Sequence, residues 1–241
     1  MTQFIYKDPV MLVVTLLLSF QKAVHAVAKD AVKHAQDTRV VGLGSGSTMS
    51  YIVKEMSKLS RIGSIEFVPT SLQIRIEAEK NSLRIVDESC IPQVDIVFDG
   101  ADQINSEFHM IKGGGGALLK EKILISAAKK VVIVADETKF VESFSRSVPV
   151  EVHPMARLIV AKKIEEIGGQ PLLRILDKGY PFITENGNII LDTAFSSISD
   201  PKKKEAQLKS IAGVLEVGLF TRRADVYYKA KGDGTFEVIA F

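Results

Sequence analysis

Residues 22–34 carry apolar side chains at helical spacing (Ala23, Val24, Val27, Ala31 and Val32), which predicts a helix. The run Arg39-Val40-Val41-Gly42-Leu43 then reads as a short buried strand. Gly44-Ser45-Gly46-Ser47-Thr48 leads from it into a helix that reaches about Leu59. The alternation repeats. Residues 65–68 predict a second strand, followed by Pro69-Thr70-Ser71 and a helix over 72–80. Residues 94–98 predict a third strand, which ends in Asp99-Gly100-Ala101-Asp102. A helix over 117–129 precedes a fourth strand over 130–135, which ends in Asp136-Glu137-Thr138-Lys139. Short apolar strands separated by helices imply a parallel sheet covered on both faces.

From Val148 the pattern changes. A strand (149–152), a helix (154–167) and Gly168-Gly169 come before strands at 172–176, 182–185 and 189–192, the last two joined by the tight turn Glu185-Asn186-Gly187-Asn188. A polar helix over about 202–212, a strand over 214–219 and a hairpin closing on Val238-Ile239-Ala240-Phe241 complete the chain. The expected fold is therefore α/β: a Rossmann-like parallel-sheet domain (20–145 plus 222–241) with a smaller α+β, ferredoxin-like domain (146–221). Residues 1–19 stand apart. Their apolar run, Val10 to Phe20 behind Lys7, is too short to cross a bilayer as a helix. It is long enough for a signal-peptide core, and Ala26-Val27-Ala28 has cleavage-like spacing. Cutting there would remove part of the helix before the first strand, so we read 1–19 as an atypical extension and expect a cytoplasmic protein.

Composition narrows the function. Lys+Arg 31 against Asp+Glu 29 gives no reason to expect a nucleic-acid partner. Lys202-Lys203-Lys204 after Pro201 reads as a solvated helix start. One cysteine, Cys90, excludes an intrachain disulfide and fits a reducing compartment; no neighbouring His or cation activates it. His25, His34, His109 and His153 show no metal-ligand spacing, so neither metal nor cofactor is expected.

The chemistry collects where strands end. In an open α/β sheet ligands bind at the carboxyl ends of the strands, so the four terminal clusters predict one crevice. Gly44-Ser45-Gly46-Ser47-Thr48 joins strand to helix, an arrangement that offers N–H groups and hydroxyls to a phosphate. It lacks the Gly-Lys-Ser/Thr of a P-loop, and Ser47 stands where a dinucleotide fingerprint needs glycine. Asp99 and Asp102 are close enough to divide roles, although Asp102 is equally an ordinary turn cap. Lys139 reads as a phosphate clamp or as a surface lysine. The run Lys112-Gly113-Gly114-Gly115-Gly116 is the most telling: a cation, then bare amides able to curl around an anion, then Glu121 near the start of a helix. A tight turn with an acid near the positive end of its helix is the plainer alternative.

Taken together, these motifs resemble type A ribose-5-phosphate isomerase. So do Pro149-Val150-Glu151-Val152, Pro154-Met155-Ala156-Arg157, the run Asn186 to Asp192, and Gly218-Leu219-Phe220, in unbroken order from about residue 20. Ser45 replaces a threonine usual in the first loop, and residues 1–19 have no counterpart. The resemblance implies interconversion of ribose 5-phosphate and ribulose 5-phosphate in the pentose phosphate pathway, without metal or cofactor. It implies Glu121 as the base, Lys112 as the cation that stabilises an enediolate, and Asp99 and Asp102 as binders of sugar hydroxyls that assist ring opening. Ser47, Thr48 and Lys139 would hold the phosphate, within a substrate surface formed by Ser45, Gly46, Gly100, Ala101, Gly113, Gly114 and Gly115. A homodimer or homotetramer is implied as well, and neither a membrane nor a nucleic acid as partner. A non-catalytic sugar-phosphate sensor would not need Glu121 together with Lys112. The aspartate pair and the lysine-tetraglycine run argue against an amino-sugar-phosphate deaminase or an acyl-CoA transferase.

Overall fold

The computed structural model describes residues 21–87 and 93–241; the apolar extension and Cys90 lie outside the described residues. Helical backbone over 21–31 (α1) is followed by β1 (Val40–Leu43), α2 (Ser47–Met56), β2 (Glu66–Pro69), α3 (Leu72–Lys80) and β3 (Val94–Asp99). Two short strands, β4 (Gln103–Ile104) and β5 (Met110–Ile111), come before α4 (Leu118–Ala127) and β6 (Ala128–Asp136). Then follow β7 (Val148–Val152), α5 (Arg157–Glu166), β8 (Gly169–Leu173), β9 (Ile189–Phe195), α6 (Pro201–Lys209) and β10 (Val214–Val217). The chain ends with β11 (Leu219–Phe220), β12 (Val226–Ala230) and β13 (Phe236–Ala240).

The central sheet has the order β13-β12-β6-β3-β1-β2, parallel except for β13 at the edge. Its inner strands are buried on both faces through most of their length, which is why they read as apolar runs broken only near their starts, by Asp95 in β3 and by Lys129 and Lys130 in β6. On one face Val41, Leu43, Ile96 and Phe98 pack with α1 and α2, where Ala23, Val27, Ala31, Met49, Ile52 and Val53 are fully buried. On the other face Val97, Val131 and Ile133 pack with Leu118, Leu124 and Ile125 of α4.

A separate antiparallel sheet, β10-β7-β9-β8, carries α5 and α6, in the β-α-β-β-α-β connectivity of a ferredoxin-like unit. Between the two lies a small sheet, β11-β5-β4. It leads directly into the site, because β5 ends one residue before Lys112.

Some expected boundaries change. The helix expected to end at 129 stops at Ala127, because Ala128 already pairs with Val94 in the central sheet. The strand expected over 214–219 breaks at Gly218, whose N–H bonds to Pro149 O and whose carbonyl accepts from Lys112 N. Its halves therefore join different sheets. The strand expected at 172–176 lies earlier, where Gly169 pairs with Phe195. Residues 182–185 make only an isolated bridge, Ile183 to Ile189.

Candidate active site

β1 lies between β2 and β3, so the chain leaves it first to one side and then returns to the other. This is the switch point at which a crevice opens beyond the strand ends. The loop after β1 turns at Gly46, whose φ of 103° suits glycine. Gly46 offers no side chain to cap α2, so the first N–H groups of that helix face the loop. The loop is held from the flank: Gly46 N–H donates to Gln73 Oε1 at 3.1 Å, and Ser45 Oγ bonds the hydroxyls of Thr70 and Ser71 at 2.8 and 2.9 Å.

β3 delivers Asp99 to the same place. Its Oδ1 accepts from Gly100 N–H at 2.7 Å, and its Oδ2 pairs with Lys112 Nζ at 2.9 Å. Asp102 sits beyond the strand, where its Oδ2 accepts from Gly114 N–H at 2.8 Å. Asp102 therefore caps the glycine turn across two loops instead of within its own.

The glycine run makes a turn closed by Gly116 N–H to Gly113 O at 3.0 Å, with positive φ at Gly113 and Gly116. It runs straight into α4, where Glu121 occupies the first turn, on the side of the helix dipole that favours a carboxylate. Glu121 Oε2 stands 3.1 Å from Lys112 Nζ, and that ammonium also donates to Gly100 O at 2.6 Å. Burial opposes the charge on Lys112, but the carboxylates of Asp99 and Glu121 outweigh it and hold the ammonium above the ordinary lysine range. Asp99 moves the other way: burial, with the Glu121 carboxylate beside it, raises its pKa to about 7 against the pull of Lys112.

Ser45 to Thr48, Gly100 to Asp102, Lys112 to Gly115, Glu121 and Lys139 all line one cavity of about 290 Å³. Three of the four strand-end clusters thus meet across almost a hundred positions; Pro69-Thr70-Ser71 does not line the cavity, and Thr70 and Ser71 only brace Ser45. Asp99 does not reach the cavity wall; it is fully buried, its carboxylate turned onto Lys112. Lys139 is only loosely paired, 3.9 Å from Asp136 Oδ2. Sequence reasoning missed Gln73, which anchors Gly46. It also missed Arg174, which donates to the carbonyls of Gly113 and Gly114. Neither carries a local signal, since each acts on a loop distant in the chain.

A model of the family described as ribose 5-phosphate isomerase A (phosphoriboisomerase A) matches residues 66–234. The chain belongs to this family. A phosphoriboisomerase relative from Methanosarcina acetivorans, ribose-5-phosphate isomerase A, is 43% identical over 203 residues, covering 83% of this chain and 86% of its own. The solved structure of ribose 5-phosphate isomerase A from Methanocaldococcus jannaschii superposes with a TM-score of 0.84 at 34% identity, covering 92% of this chain and 99% of the other. A D-ribose-5-phosphate isomerase solved in complex with phospho-erythronic acid gives a TM-score of 0.86 at 33% identity, with the same coverage. Among the described residues, no helix is long and apolar enough to cross a membrane. Nor do three or more His, Cys, Asp or Glu residues among them gather as a metal site.

Proposed function

We propose that this chain interconverts D-ribose 5-phosphate and D-ribulose 5-phosphate by moving a proton between C2 and C1 through an enediolate. One observation carries the reading: Lys112 lies between Asp99 and Glu121, at 2.9 and 3.1 Å, in the cavity that also contains Ser47, Thr48 and Lys139. Buried ion pairs repay their desolvation poorly as a source of stability, so such a cluster is better understood as chemistry.

In this reading the α2 N-terminus, Ser47, Thr48 and Lys139 hold the phosphate, and that binding energy orients the reacting carbons. Ser45, Gly46, Gly100, Ala101 and Gly113 to Gly115 shape the rest of the substrate surface. Asp102 takes a sugar hydroxyl and assists ring opening, with Asp99 behind it as a carboxyl able to hold a proton. Glu121 removes the C2 proton of the open-chain aldose, and the electron pair moves onto O1 beside the Lys112 ammonium. Glu121 then returns the proton to C1 while the O2 proton passes to O1, which leaves the ketose. A positioned base contributes about 10²–10⁴-fold and one donor to the anionic oxygen about 10²–10³-fold. Phospho-erythronic acid, found on a solved relative, is a phosphorylated sugar acid and asks for the same two anion-binding ends.

We also read 20–145 with 222–241 as the catalytic domain and 146–221 as a second domain that serves assembly into a homodimer or homotetramer in the cytoplasm. The exposed Met155, Leu158 and Ile159 around the start of α5 support self-association. The direct test is purified protein with ribose 5-phosphate and a chelator. Ketose should form at an enzymatic rate, and none forming would defeat the reading.

A further inference from the structure

Arg174 follows β8 and reaches from the antiparallel sheet to the back of the glycine turn. Its Nε and Nη2 hold the two oxygens of Asp192, on β9, at 2.8 and 2.5 Å. Its Nη1 donates to Gly113 O and Gly114 O, at 2.9 and 3.0 Å. The Phe182 ring lies 5.6 Å from the guanidinium carbon. The planar fork is thus divided between a carboxylate, which neutralises it, and two carbonyls of the turn.

A planar trans peptide directs its C=O and the following N–H to opposite sides. Holding Gly113 O from behind therefore turns the Gly114 N–H to the front, where it meets Asp102 Oδ2 at 2.8 Å. Holding Gly114 O turns the Gly115 N–H the same way. Gly115 lines the active cavity, and among the described residues nothing accepts a hydrogen bond from its N–H. A Cβ at this position would meet nothing within 4 Å, so Gly115 stands at an open part of the turn.

We propose that Arg174 is a positioning residue for the isomerisation: gripping two glycine carbonyls from behind, it presents the Gly115 N–H as a fixed donor to the sugar oxygen that becomes anionic. A backbone donor aimed in advance at developing charge costs no reorganisation during the reaction. A loop free to rotate its peptides would lose that benefit and could turn a carbonyl toward the anion instead. Asp192 completes the device, since its carboxylate keeps the guanidinium charge from drawing the substrate to the wrong side of the loop.

The proposal rests on the isomerase reading, and the test separates the two. Steady-state kinetics with ribose 5-phosphate would compare wild type, Arg174→Ala and Arg174→Lys, with melting curves for each. Arg174→Lys keeps a cation beside Asp192, but one ammonium cannot hold both Asp192 oxygens and both carbonyls in the fixed plane of the guanidinium. Both variants should lose about 10–100-fold in kcat, with KM within about threefold of wild type, because Ser47, Thr48 and Lys139 do not touch Arg174. If Arg174→Ala does not fold, Arg174→Lys decides by the same criterion. A kcat within twofold of wild type, or a rise in KM larger than the fall in kcat, overturns the proposal alone. A wild type without turnover overturns the isomerase reading and the proposal with it.

Discussion

A Cβ on Gly44 would lie 1.9 Å from Asp99 Oδ1, so the loop after β1 and the carboxylate that ends β3 fit together only because residue 44 has no side chain. The expected consequence is specific. Gly44→Ala must push Asp99 off Lys112, with overpacking that costs about 1–3 kcal/mol of stability. Displacing a catalytic group by about 1 Å costs on the order of 10²-fold in rate. Measuring kcat and denaturant unfolding together checks this; a variant with wild-type turnover would show that Asp99 need not stay where it is.

Asp99 also predicts how stability follows pH. Its ordinary value is 3.8 and its folded value about 7, raised by burial and by Glu121. Between those values the folded state holds more protons than the unfolded chain, so this contribution to stability is full below the lower value and is lost as pH rises through the upper one. Lys112 is shifted in the alkaline range and leaves this window untouched. Melting temperatures of wild type and Asp99→Asn from pH 4 to 8 should diverge in slope, wild type falling more steeply. Parallel curves would remove Asp99 as the titrating group.

Lys112→Met leaves two buried carboxylates without their cation. Breaking a buried pair in this way typically costs about 3–5 kcal/mol, so the variant should be both inactive and less stable. Adding Asp99→Asn should recover part of the stability and none of the activity. A strictly additive double-mutant cycle would mean that the two residues are not coupled.

Lys139 carries the phosphate reading. It lines the cavity with only a 3.9 Å pairing to Asp136, so Lys139→Ala should raise KM for the sugar phosphate about tenfold or more while kcat changes little. An unchanged KM would return Lys139 to the ordinary surface.

Much of this was legible in the chain because its signals are local. The inner strands of the central sheet are buried on both faces, and runs such as 94–98 cannot be mistaken for surface. The loops at their ends carry their own chemistry, so strand polarity led to the convergence of Gly44 to Thr48, Asp99 to Asp102 and Asp136 to Lys139, while Lys112 to Glu121 joined them through the family resemblance. What escaped depends on distant partners. The β4 and β5 strands are two residues each and exist by pairing with each other and, at Leu219 and Phe220, with β11. The end of α4 is set by the ladder waiting for Ala128, with no glycine or proline to announce it. Asp99 looked like a wall residue and proved buried, because only the fold reveals that Lys112 stands behind Gly100. Arg174 read as part of a strand, and its reach to Gly113 and Gly114 crosses from one sheet to the other.

The central claim is that Glu121 is the group that moves the proton. Glu121→Gln keeps the size of the side chain beside Lys112 and removes its basicity, so folding and substrate binding should survive. The decisive measurement is kcat of this variant with ribose 5-phosphate: the account predicts a fall of at least about 10²-fold with KM nearly unchanged. Turnover close to wild type would contradict it.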